Sequence, residues 1–138
     1  MLPDGLLAVL CLLAIEMHLR GFIVLNFARV FYELGVLYII RAIACRLTIG
    51  YVSARYVRNQ GHNLGGTNCN FSDLVISGHT MTVSIVYYGV YDSYVGSGIV
   101  LVGYTVLWFV AVTSNLFVGD HYSSDVFIGL VLSWLFHY

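Results

Sequence analysis

Five apolar stretches run through this chain, at residues 5–27, 30–48, 74–91, 99–118 and 122–138. Each approaches the ~20 residues that a helix needs to cross the hydrocarbon of a bilayer. No other feature restricts the fold so strongly, since segments of this length and apolarity have lipid as their natural solvent. The expected fold is all-α, a polytopic transmembrane bundle of about five membrane-spanning helices. It forms a single membrane domain over residues 1–138, because no Pro/Ser-rich linker, charge block, low-complexity tract or internal repeat divides the chain. Composition agrees: 59% of residues are hydrophobic and 9% are charged, against about a quarter charged in a water-soluble domain.

The polar residues define the ends of the segments. The one long polar stretch, residues 51–72, holds Gly61, Gly65 and Gly66 and lies outside the hydrocarbon. The other connections are short, a turn around Ala28 and Arg29 and the segments 92–98 and 119–120, so neighbouring helices are expected to be antiparallel. Alternating crossings then place 51–72, His79 and residues 121–125 at one membrane face. Arg29 favours the opposite face as cytosolic, whereas Arg55 and Arg58 argue the other way. There is no lysine, six arginines oppose seven carboxylates, and a net charge of −1 offers no basic surface, so nucleic acid is excluded as a partner. Three cysteines, Cys11, Cys45 and Cys69, form no Cys-x-x-Cys pair. They carry no metal or redox argument, and buried free thiols are expected rather than a Cys45–Cys69 bridge. The first segment lacks the basic flank of a signal peptide and is read as a retained helix.

Ionisable residues within membrane segments are costly and commonly mark a site. His121 and Asp125 are four apart at the start of the last segment, a spacing that puts both on one helical face. The carboxylate can fix the imidazole tautomer and leave the other nitrogen basic. Ser77-Gly78-His79-Thr80 adds a second imidazole at the same level, with a glycine that lets a ligand approach the backbone and helix-start N–H groups suited to phosphate. Either motif alone is more often structural; both at one face favour a phosphate-handling site. Of the other histidines, His62 is expected in a loop, His137 near the chain end at the interface, and His18 in a polar patch. In that patch Glu16 and Arg20 have the spacing of an intrahelical ion pair, with Glu16 facing the catalytic pocket as the alternative. The 11 tyrosines are read as interfacial anchors and bundle filling. The sequon Asn70-Phe71-Ser72 abuts the membrane surface and is expected to be unused. No cofactor is implied, and no third convergent ligand suggests a metal. Paired transmembrane histidines holding a b-type haem would be visible in an absorbance spectrum, but that reading leaves Ser77-Gly78-His79 and Asp125 unexplained.

These motifs resemble the sphingomyelin synthase-like branch of the type 2 phosphatidic acid phosphatase superfamily. Cys69-Asn70-Phe71-Ser72-Asp73-Leu74-Val75-Ile76-Ser77-Gly78-His79-Thr80 is similar to that branch's third motif, Cys-Gly-Asp, three apolar residues and Ser-Gly-His-Thr, with two extra residues after the cysteine. His121-Tyr122-Ser123-Ser124-Asp125-Val126 is similar to the fourth, His-Tyr-Thr-x-Asp-Val. Leu37-Tyr38-Ile39-Ile40-Arg41-Ala42-Ile43 resembles the second, and Leu2-Pro3-Asp4 a remnant of the first. The phosphatase branch differs: it has Pro where Ile76 stands, a Lys-x6-Arg-Pro motif that a lysine-free chain lacks, and an arginine where Asn115 follows Ser114.

The resemblance implies a catalytic set of His79, His121 and Asp125, with Arg41, Asp73, Ser77 and Gly78 as candidate substrate contacts; Glu16 joins these candidates only through its place in the polar patch of the first segment. It implies an enzyme that takes a phospholipid head group from a donor in the bilayer and transfers it to ceramide. Its site would face the lumen or exterior, in the Golgi, endoplasmic reticulum or plasma membrane. The branch usually has six crossings, so this chain would lack the first helix. Water as acceptor, giving a lipid phosphate phosphatase, is the nearest alternative; an inactive scaffold or fragment is another.

Overall fold

A computed structural model describes residues 2–47, 76–118 and 123–138, apart from the side chains of Cys45, Arg46 and Val118. Five helices follow in order: α1 (Leu2–Leu19), α2 (Phe27–Leu47), α3 (Gly78–Ser93), α4 (Gly98–Val118) and α5 (Ser123–His137). The described residues contain no strand, only one isolated antiparallel bridge between Ile23 and Tyr94. The all-helical bundle expected from the sequence is thus the fold. By length and apolarity, Leu2–Leu19 and Gly98–Phe117 can each cross a membrane, whereas α5 is apolar but shorter. Both are candidate membrane spans.

The first connection differs from expectation. The apolar run 5–27 suggested one helix with a turn at Ala28 and Arg29, but α1 stops at Leu19. Its C-terminus is capped by Gly21, at φ 74°, with Phe22 N–H donating to the Met17 carbonyl (2.9 Å) and Gly21 N–H to that of His18 (3.0 Å). This paired arrangement is a Schellman cap, which satisfies the last carbonyls and suits glycine in the left-handed region. Asn26 then caps α2, its Oδ1 accepting from the Arg29 N–H at 3.1 Å. The turn was hidden because the residues between the two caps are mostly as apolar as the helices they join.

α3 is the central element and packs against the other four. Its buried residues, from Gly78 and Thr80 to Val90, lie all round the helix rather than on one stripe, as expected of a helix enclosed by neighbours. Much of the outer surface of α1 and α4 is apolar and exposed, including Leu12, Leu19, Val102 and Phe109. In water such a surface would be a liability; in hydrocarbon it is the normal exterior.

The chain alternates direction through the bundle, so the start of α1, the end of α2, the start of α3, the end of α4 and the start of α5 share one end. At the other end, three helices are clamped by charge. Arg29 Nε donates to Glu33 Oε1 at 2.6 Å and a second guanidinium nitrogen donates to the His137 carbonyl. His137 itself lies between two carboxylates, with Nδ1 3.1 Å from Glu33 Oε2 and Nε2 2.9 Å from Asp92 Oδ2. Tyr138 adds its hydroxyl to Asp92 Oδ1 at 3.0 Å. His137 is therefore not the interfacial chain-end residue expected from its position: its side chain is 2% exposed and ties α2, α3 and α5 together.

Candidate active site

At the first end, the start of α3 is built around Ser77. Its Oγ accepts from the Thr80 N–H at 3.2 Å, capping the helix, and from the Thr80 hydroxyl at 2.9 Å. Its own N–H donates to the Asp125 carbonyl at 3.2 Å, which joins the first turn of α5 to the first turn of α3. Asp125 is 3% exposed and accepts from the Ser124 hydroxyl at 3.1 Å. Its place in that turn also suits a carboxylate, since the helix dipole is positive there.

Gly78 sits beneath α2. A methyl group at position 78 would meet the Tyr38 hydroxyl at 3.3 Å and the Arg41 guanidinium carbon at 3.4 Å, so the glycine lets these two side chains lie close over the helix start. Arg41 Nε donates to the Ile76 carbonyl at 2.9 Å, which fixes the guanidinium over the turn that leads into the helix. An arginine, a helix start and a glycine thus meet in one place, a combination suited to an anionic phosphate oxygen.

His79 reaches α1, where its Nε2 lies 2.7 Å from Asp4 Oδ1. Sequence reasoning assigned Asp4 to a motif remnant and gave it no role. Its Leu-Pro-Asp context was the available signal. An ionised carboxylate only accepts, so this contact puts the proton on Nε2 and leaves Nδ1 as the basic nitrogen of the neutral ring.

Behind these groups lies Asn115, 2% exposed. Its Nδ2 donates to Thr80 Oγ1 at 3.3 Å and to the Ala111 carbonyl at 3.4 Å. Its Oδ1 is buried without a partner, a state that ordinarily costs about 1–3 kcal/mol. Where an arginine would place positive charge, this chain places an acceptor.

Glu16 does not join the site. It stands three turns further along α1 than Asp4, about 18 Å at the rise of a helix, and is bound to Arg20 at 2.6 Å. The intrahelical pair expected from the spacing is the arrangement found. His121 and Asp73 lie outside the described residues, as do His62, Cys69, Arg55, Arg58, the sequon and the side chain of Arg46. The expected same-face relation of His121 to Asp125 falls there too, since α5 is described from Ser123. Among the described residues, no three His, Cys, Asp or Glu side chains gather as a metal site would require.

The model of the PAP2 superfamily C-terminal region matches residues 68–138, just over half of the chain. The chain belongs to the PAP2 superfamily. The matched part contains both the Ser77-Gly78-His79 and the His121-to-Asp125 motifs, and members of the superfamily act on phosphoryl groups of lipids at membranes. Activity of the lipid phosphatase or phosphotransferase type follows for this PAP2 protein, with a lipid as its partner. No curated protein and no solved structure matches the chain.

Proposed function

We propose that this PAP2 protein is a lipid phosphotransferase that moves a phospholipid head group onto ceramide, with His121, His79 and Asp125 as its catalytic residues. His121 attacks the phosphorus of the donor phospholipid, and the P–O bond to diacylglycerol breaks. The leaving alkoxide takes a proton from Nδ1 of His79, which enters this step as the imidazolium, and a phosphohistidine-type intermediate remains. In the second half-reaction the now neutral His79 removes the proton from the primary hydroxyl of ceramide, whose oxygen attacks the same phosphorus and releases His121. Asp125 orients His121 and balances its charge, while Arg41, Asp73, Ser77 and Gly78 form the bed for the head-group phosphate.

The observation that carries this reading is the 2.7 Å contact of Asp4 with His79. It brings the start of the first helix to His79 and supports Nδ1 as the nitrogen left for the substrate. Two features favour an alcohol acceptor over water: Asn115 stands in the place of a phosphate-gripping arginine, and no lysine is present. The site is proposed to face the lumen or exterior.

The test is incubation of the purified protein in mixed phospholipid vesicles with labelled ceramide, followed by mass spectrometry. A labelled phosphosphingolipid together with stoichiometric diacylglycerol is expected. Release of free phosphate or free head-group phosphate, with labelled ceramide unchanged, would replace this reading with hydrolysis.

A further inference from the structure

Between α1 and α4, at the end of the bundle away from His79, lies a groove of about 330 Å³, within the range of ligand pockets, roughly 300–1,000 Å³. It is lined by Leu13 and Met17 of α1 and by Val100, Gly103, Tyr104 and Leu107 of α4. A methyl group built at Gly103 meets nothing within 4 Å, so a larger side chain there has open groove to occupy. Its two sides are the helices long and apolar enough to cross a membrane, and the medium it opens to is hydrocarbon. From Val100 to Leu107 it runs about 10 Å along the helix, which suits part of one acyl chain.

The mouth is charged. Arg20 and Glu16 both line the groove, with side chains 65% and 51% exposed and one N–O contact of 2.6 Å between them. That contact occupies one of the five guanidinium N–H donors and one of the two carboxylate oxygens. Positive and negative groups thus stand side by side at the top of a chain-sized apolar slot. A zwitterionic phospholipid presents the complementary pair, a phosphate for Arg20 and an ammonium for Glu16. An anionic lipid would satisfy Arg20 but leave Glu16 facing like charge, and a soluble ligand would have no reason to enter apolar walls within the bilayer.

We infer that this groove is a second lipid site, which seats one acyl chain of a zwitterionic phospholipid from the leaflet opposite the catalytic site. The lipid fills the seam between α1 and α4 and holds α1, and with it Asp4, against the bundle. The inference stands apart from the proposed reaction, because it concerns binding at the other end of the molecule.

The experiment uses the full chain in a neutral detergent, with dioleoyl phosphatidylcholine or dioleoyl phosphatidylglycerol added, read by thermal unfolding and by native mass spectrometry. Phosphatidylcholine at saturating concentration is expected to raise the unfolding midpoint by about 4 °C or more. Gly103→Leu, which puts a side chain into the open space beside Gly103, should keep the lipid-free midpoint and lose most of that rise. Val100→Trp, a plug at the mouth, should do the same if Gly103→Leu fails to fold. Lipid held in the catalytic site is unaffected by either change, so loss of the rise reads the groove alone. An equal rise in both variants would overturn the site, and an equal rise with phosphatidylglycerol would overturn the zwitterionic assignment. The double variant Glu16→Gln with Arg20→Gln should bind phosphatidylcholine no better than phosphatidylglycerol.

Discussion

The two ends of this bundle use the same residue types for opposite purposes. At the end away from the site, His137 has a carboxylate on each ring nitrogen, and its backbone carbonyl is held by Arg29. The ring is saturated with partners and buried, and it can only hold helices together. At the other end, His79 has one carboxylate on Nε2, and its side chain is 39% exposed. One nitrogen is fixed and the other is available to a ligand. The number of partners around each ring, rather than the presence of histidine, separates a saturated fastening from a ring with a nitrogen left open.

This contrast can be broken by experiment. The largest effect is expected for His121→Ala, which should lower turnover by at least about 1,000-fold with an unchanged thermal midpoint. Residual turnover near the wild-type level would remove its role as nucleophile. Next, Glu33→Gln or His137→Ala should destabilise the protein by about 3–5 kcal/mol, since each strands a buried partner of an ion cluster. Denaturant unfolding would measure it, and turnover per folded molecule should stay the same. A loss of turnover without loss of stability would show that the clamp belongs to the chemistry after all. The smallest effect belongs to Gly21→Ala, expected to cost about 1 kcal/mol through strain at positive φ, again without altering turnover.

The helices were legible because long apolar runs leave few other folds, and α2 to α5 begin and end close to the sequence boundaries. The end of α1 was not, since a Schellman glycine within an apolar run carries no compositional signal. Ser77, Gly78 and Arg41 were found from motif and spacing, and the structure gathers them at the start of α3. Asp4 was missed because its partner lies 75 residues away, a distance that only the packing of α1 on α3 closes. His137 was misread for the same reason: both its carboxylates come from other helices. The pairing of Glu16 with Arg20 was legible, since both partners stand one turn apart on the same helix.

The central claim is that Asp4 holds His79 as the acid and base of the transfer. Asp4→Asn should leave stability unchanged, because that carboxylate is 65% exposed, and should lower turnover by about 100-fold or more, in the range of general acid–base catalysis. The direct measurement is single-turnover cleavage of two phospholipid analogues with the same head group, one with a poor alkoxide leaving group and one with a good phenolate. The account predicts that Asp4→Asn slows the alkoxide substrate by that factor and the phenolate substrate several-fold at most, since only the alkoxide needs the proton. Equal slowing of both substrates would contradict it.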